Sequence, residues 1–288
     1  MGNQLNLCVP GALPDRELER IIEPWFGIEP SRARIQPASF DLPLGERIIR
    51  LETRESIRVP EGISIDEYLR TLPKGSVHEG KMSSGYRVVP GFTYLIPLEC
   101  RVSIPEGVIV RSSPKSTQGR LGTYVRMIGD GCPNIDEITG PFDGRLWVQY
   151  ESHVFHVNVT SGVALNQLRV FSQHPASVER EALLQAFHEE PMLFRDGQQM
   201  DLSRLHAYEG LPLTIDLEGA QFDGIIGFRA KHTPDPIDVA AKGKLDSGDF
   251  FDIGTAPRDG KLVIEPGEFF ILYTREGVFV PRSFAMEM

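Results

Sequence analysis

The feature that most constrains this chain is that it repeats itself. Pro212-Leu213-Thr214-Ile215-Asp216-Leu217 echoes Pro37-Ala38-Ser39-Phe40-Asp41-Leu42 at an offset of 175 residues, and Pro266-Gly267 and Pro281 echo Pro90-Gly91 and Pro105 at 176. Anchors that keep one spacing imply two copies of one structural unit. Segments 46–51, 86–89, 92–104 and 107–110 are rich in β-branched and aromatic residues between Gly and Pro breaks, so that unit is mainly β. Helical patterns punctuate it. Residues 14–22 read as a helix that Pro24 ends, Ser64-Ile65-Asp66-Glu67 has the spacing of a capping box for a short helix before Pro73, and 176–190 reads as a helix that Ser177 can cap. The expected organisation is therefore a first β domain over 1–172, a helical connector over 173–209 and a second copy over 210–288. The counterpart of Lys115 falls just past Met288, so the second copy is expected to be incomplete.

Between the repeat anchors lies a dense chemical cluster. Within residues 111–120 stand three cations, Arg111, Lys115 and Arg120, and four hydroxyls, Ser112, Ser113, Ser116 and Thr117. A planar guanidinium, a mobile ammonium and neutral hydroxyl donors together suit a phosphate chain. A solvated loop is the alternative, but the cluster directly follows the apolar run Gly107-Val108-Ile109-Val110, which would hold it on a rigid strand end. The formal net charge of −10 opposes binding to a nucleic-acid backbone and favours a small anion as the partner.

Further along, Arg145, Trp147, Gln149 and Glu151 alternate with Leu146, Val148 and Tyr150, which puts the first set on one face of a strand. Phe142-Asp143-Gly144 carries an Asp-Gly pair, a common hairpin turn. Cys8, Cys100 and Cys132 are too few and too far apart for a disulfide framework or a metal knuckle. His188-Glu189-Glu190 matches the first half of a zinc deaminase signature, but no Cys follows position 132, so no zinc site is expected. No run of 18 apolar residues occurs and the first residues lack a basic region, so the chain is read as cytoplasmic with no membrane partner. Asn158-Val159-Thr160 is read as strand rather than as a glycosylation site.

These stretches resemble one family. Lys115-Ser116-Thr117-Gln118-Gly119-Arg120-Leu121-Gly122 looks like the Arg-Ser-Ser-Leu-Ala-Arg-Leu-Gly motif of dCTP deaminases, and residues 35–45 resemble their Ile-Gln-Pro-Ala-Ser-Val-Asp-Leu-Arg-Leu-Gly opening. Residues 142–149 look like the family's Phe-Glu-Gly-x-x-x-Leu-Glu strand, and 162–171 like its closing Gly-x-x-x-x-Gln-Leu-x-x-Phe. The order of motifs is most similar to the longer bacterial branch, in which two dUTPase-like units are fused.

The resemblance implies a dUTPase-like β-barrel or distorted jelly roll in tandem, a homotrimer, and zinc-independent hydrolysis of dCTP to dUTP and ammonia in the synthesis of dTTP precursors. It implies that Lys115, Ser116, Thr117, Arg120 and Arg111 hold the triphosphate, that Asp143 and Gly144 lie beside base and sugar, and that Mg2+ rides on the nucleotide. The family's catalytic Glu falls at Gln149, whose amide cannot shuttle a proton. Glu151, on the same face, is a substitute; on this reading Gln149→Glu should raise the rate. Gln149 is otherwise a neutral strand residue. A further family Asp falls at Thr139, with Asp136 as its replacement. The rival readings are a dUTP diphosphatase and a catalytically silent nucleotide-binding subunit.

Overall fold

Helix α1 (Asp15–Phe26) opens the first part of the chain because Leu18, Ile21, Ile22 and Phe26 recur at helical spacing and are fully buried. It does not stop at Pro24. That residue lies inside it, and the helix closes at Gly27, whose φ of 60° is left-handed and whose N–H reaches the Glu23 carbonyl. Proline forfeits one backbone bond there, and burying Phe26 against Phe40, ring centroids 4.7 Å apart, offsets the loss.

The computed structural model describes residues 11–52, 57–172, 178–201, 210–282, 284 and 286. It divides into two compact units, Met1–Pro175 with His232–Asp249, and Ala176–Lys231 with Phe250–Met288. The second half of the sequence thus sends one excursion, 232–249, into the first unit, and the described residues 178–201 of the segment read as a connector fall in the second.

The first unit carries strands β1 (Ile35–Gln36), β2 (Ser39–Phe40), β3 (Arg47–Leu51), β4 (Val77–Lys81), β5 (Tyr86–Val88), β6 (Thr93–Ile104) and β7 (Ile109–Pro114). Beyond these come β8 (Thr123–Gly129), β9 (Glu137–Thr139), β10 (Phe142–Ser152), β11 (Val157–Val159) and β12 (Asn166–Phe171). Helix α2 (Ile65–Thr71) starts at the anticipated capping box: the Ser64 hydroxyl accepts the Glu67 N–H and the Glu67 carboxylate accepts the Ser64 N–H. Helix α3 (Ser116–Arg120) follows β7 directly.

Two five-stranded sheets result, in the orders β1-β2-β12-β7-β9 and β4-β3-β6-β10-β8. The second is buried on the side of Trp147, which packs with Ile49, Leu95 and Ile128 under Ile65 and Leu69 of α2. A third sheet joins β5 and β11 to β16 (Ile237–Asp238) from the excursion, with Val157 opposite Ile237 in parallel register. Among the described residues no sheet closes on itself, and the fold is mainly β without a closed barrel.

The second unit contains α4 (Arg180–Glu189), β13 (Leu193–Arg195), β14 (Gln198–Gln199), β15 (Ile225–Ala230), β17 (Phe251–Thr255), β18 (Phe270–Leu272) and β19 (Glu276–Val278), and α5 (Ser247–Phe250) leads from the excursion back into it. Ser177, read as the cap of the connector helix, lies outside the described residues. The antiparallel order β17-β15-β18 is that of β4-β3-β6 in the first unit. In each case a short helix separates the central strand from the next, and a Pro-Gly pair precedes the third. The Pro-Gly anchor thus marks a repeated strand order.

Candidate functional site

Buried Ile109 and Val110 hold β7 in its sheet, and its far end delivers the cluster of cations and hydroxyls. Two of the three cations are already engaged. Lys115 Nζ pairs with Asp41 Oδ2, a carboxylate only 2% exposed that also accepts Gln36 Nε2 at 3.3 Å. Arg111 Nε donates to Glu137 Oε2 at 2.7 Å. Ser112 and Ser113 take hydrogen bonds from Asn166 and Gln167 of β12, at 2.9 and 3.2 Å. Ser116, Thr117 and Arg120 remain: all three are exposed, and Arg120 has no ion pair among the described residues. Helix α3, which carries them, is pinned from below where the Thr123 hydroxyl donates to the backbone and side-chain oxygens of Gln118, each at 2.9 Å.

Strand β10 carries the second cluster. Its register on β6 shifts between Arg145 and Trp147, so the expected four-residue face is interrupted: Arg145 is exposed while Trp147, Gln149 and Glu151 point into one covered face. Gln149 is wholly enclosed, its Oε1 accepting the Ile57 N–H at 3.1 Å and its Nε2 donating to Glu151 Oε1 at 2.8 Å. The same Glu151 oxygen accepts the Thr93 hydroxyl at 3.0 Å. Glu151 also lines a cavity of about 160 Å³ with Pro90, Gly91, Phe92, Ser152 and His153. On the opposite face, burial pushes the Tyr150 phenol above its usual range.

Asp143 and Gly144 do not join this cluster within the first unit. They lie in β10 rather than in a turn, six and five residues from Gln149, or roughly 17 to 20 Å along an extended strand. Asp143 is exposed and pairs with Arg101 at 2.7 Å. Gly144 is needed for packing, since a Cβ there would stand 2.8 Å from the Phe142 ring. Thr139 is exposed on β9. Asp136, at a left-handed φ of 61°, accepts the Met127 N–H at 2.7 Å and pairs with Arg126; burial pushes its carboxyl up despite those partners.

Sequence reasoning missed four positions. Asp41 neutralises Lys115. Thr93 and the Ile57 N–H orient the Glu151–Gln149 pair from segments more than 50 residues away. Asp130 accepts the Ile65 N–H and Trp147 Nε1 at 3.0 and 3.1 Å, tying α2 to β10; no local signal marks it beyond its place before Gly131. Among the described residues no three His, Cys, Asp or Glu side chains gather as metal ligands.

Comparison with known proteins gives the family. Residues 10–174 match the family model of the 2'-deoxycytidine 5'-triphosphate deaminase N-terminal domain, and residues 180–288 match that of the C-terminal domain. A dUMP-forming dCTP deaminase of Methanoregula boonei is 25% identical over 191 residues, 65% of this chain and 93% of that protein. The crystal structure of 2'-deoxycytidine 5'-triphosphate deaminase from Agrobacterium tumefaciens superposes with a TM-score of 0.80 at 28% identity, covering 94% of this chain and 76% of that one.

Proposed function

The chain belongs to the 2'-deoxycytidine 5'-triphosphate deaminase family, hydrolases that act on a C–N bond, and we propose that it converts dCTP to dUTP and ammonia. Water adds to the ring carbon bearing the amine, the C–N bond breaks, and the amine leaves as ammonia after gaining a proton. Ser116, Thr117 and Arg120 hold the triphosphate: they are the exposed donors of the loop, and a guanidinium without an ion pair among the described residues gains most from an anion. Lys115 and Arg111 shape the same loop while paired. Asp143 and Gly144, placed beside base and sugar by motif alone, lie apart from this cluster in the first unit: Asp143 pairs with Arg101 at the surface, and Gly144 makes room for the Phe142 ring.

Glu151 is the acid/base group of the first unit, and Gln149 orients it. The single observation that carries this is the 2.8 Å bond from Gln149 Nε2 to Glu151 Oε1, which leaves Glu151 as the one carboxylate of the pair. Release of dUTP rather than dUMP is favoured by the loop itself. Asp41 and Glu137, the carboxylates beside it, are held by Lys115 and Arg111, so neither is free to activate a water towards phosphorus. Magnesium would arrive on the triphosphate, keeping phosphate oxygens and waters as ligands and supplying charge neutralisation; the hydroxyls and guanidinium of the loop suit the phosphate oxygens it leaves uncovered.

A homotrimer is proposed on the family's habit of assembly, and a cytoplasmic setting on the absence, among the described helices, of any long and apolar enough to cross a membrane. A second reading, nucleotide binding without turnover by the first unit, is favoured by the complete enclosure of Gln149. Product analysis with dCTP separates the cases: dUTP with ammonia supports the proposal, dUMP with ammonia revises the product, and binding without ammonia favours the second reading.

A further inference from the structure

The second copy of the repeat sends a loop into the first unit. Residues 232–249 leave the hairpin of β15 and β17 at Ala230 and Phe251, which pair in register, and the Lys231 N–H donates to the Phe250 carbonyl at 2.8 Å. The excursion is therefore a tongue closed at its root rather than a linker. Its strand β16 adds to one edge of β11: the Ile237 N–H donates to the His156 carbonyl at 2.9 Å and the Val239 N–H to the Asn158 carbonyl at 3.2 Å, and Ile237 is buried. From β5, on the other edge of β11, the Arg87 guanidinium reaches across to the Pro234 carbonyl. Two strands alone make a marginal ribbon, and the tongue supplies the third.

Those two strands carry the walls of the cavity beside Glu151. Strand β5 runs on into Pro90, Gly91 and Phe92 on one side, and β11 follows Ser152 and His153 on the other. The turn before β11 is tied where the Ser152 hydroxyl donates to the Phe155 carbonyl. A shift of β11 against β5 is thus passed to both walls.

The repeat gives the tongue a counterpart. In the first copy the segment between β3 and α2 stands where the tongue stands between β15 and α5, and its Ile57 N–H fixes Gln149, the partner of Glu151. Both copies of one loop converge on the surroundings of Glu151, the first through Gln149 and the second through β11.

We propose that the tongue is a positioning element of the first unit's site, in which Ile237 and the bond from Arg87 to Pro234 hold the two walls at the spacing that turnover needs. The proposal rests on the reading of Glu151 as the acid/base group. Ile237 acts through β11 and Arg87 through β5. Reacting groups tolerate little displacement: an error of about 1 Å set up far from the chemistry can cost roughly a hundredfold in rate.

The test is ammonia release from dCTP by the full chain, measured well below the melting transition so that every molecule is folded. Ile237→Ala should lower kcat by about tenfold or more and leave KM for dCTP within about threefold, because Ser116, Thr117 and Arg120 sit on α3, which Thr123 pins without the tongue. Ile237→Val keeps a branched side chain and should restore most of the rate. Arg87→Ala trims only an exposed side chain; it should move kcat the same way by less, and it carries the test where Ile237→Ala does not fold. Hydrogen exchange at the Val89 and His153 amides, one beside each wall, should quicken in both variants. An unchanged kcat in the folded variants, a loss carried by KM alone, or unchanged exchange at both amides overturns the proposal. The two readings fail separately. Wild-type ammonia release that neither variant disturbs sinks the tongue's role and spares the deaminase assignment; faster exchange in the variants of a chain that releases no ammonia sinks the deaminase assignment and keeps the tongue's hold on the walls.

Discussion

Lys115 and Asp41, 74 residues apart in sequence, meet in an ion pair whose carboxylate is 2% exposed while the ammonium side chain keeps 19%. The two partners are therefore unequal when one is removed. Lys115→Met strands a buried carboxylate and should lower stability by about 3 kcal/mol, the lower end for breaking a buried pair. Asp41→Asn leaves a cation that can turn to water, should cost less, and should tighten triphosphate binding by freeing Lys115. Thermal denaturation and calorimetry of the two variants check this; equal losses of stability would contradict the asymmetry.

Arg120→Ala should reduce dCTP affinity without harming the fold. Its side chain is exposed and without an ion pair among the described residues, so nothing internal depends on it. Charge-assisted bonds to phosphate are worth about 1.5 to 3 kcal/mol, or roughly ten- to a hundredfold in affinity. Arg111→Ala, which first loses its bond to Glu137, should change affinity less and stability more. Titration calorimetry with dCTP and magnesium, paired with melting curves, distinguishes them.

Gln149→Glu was attractive on motif grounds as a way to restore a proton shuttle, and the structure argues for a different outcome. The new carboxylate would face Glu151 Oε1 across the present 2.8 Å bond, wholly enclosed. Two like charges at that distance share a proton, which raises the folded-state pKa of the pair above its unfolded value. A raised acid pKa means the folded state binds more protons, so the variant's stability is intact below the unfolded carboxylate pKa of about 4.3 and is lost as pH rises through the folded value. The variant should match wild type near pH 4 and fall behind it at pH 8, with no gain in ammonia release. A faster variant that is equally stable at both pH values would show that position 149 faces substrate.

In the second unit, burial acts to raise the Glu276 carboxyl, but the Thr214 N–H, Arg195 and the Thr214 hydroxyl outweigh it and hold its pKa below the ordinary value. Here the sign is opposite: stability is present above the unfolded pKa and lost as pH falls through the lower folded one. Glu276→Gln should destabilise this unit at pH 7 by about 1.5 to 3 kcal/mol, and the difference from wild type should fade below about pH 4. Hydrogen exchange at Leu193 and Val278, paired across β13 and β19, reports it locally.

Much of the architecture was legible because it depends on near neighbours. The Ser64–Glu67 capping box needs only a spacing of three residues, and the breaks around Gly and Pro bound strands whose side chains alternate by covalent geometry. Pro90-Gly91 and Pro266-Gly267 mark the same point in two sheets because each precedes the third strand of the same order. The loop's chemistry was legible too, since cations and hydroxyls within ten residues cannot avoid one another.

What the tertiary structure decided is which of those groups remain available. Lys115 finds Asp41, Arg111 finds Glu137, and Gln149 finds the Ile57 N–H 92 residues away; each pairing follows from strand register and burial, to which local composition is blind. The same holds for β16, whose short sequence says nothing of the parallel partner it meets at Val157, and for α1, where burial of Phe26 overrides the stop signal at Pro24. Residue types by themselves determine what a side chain can do; long-range contacts, whose energies exceed local preferences, determine whether it is free to do it.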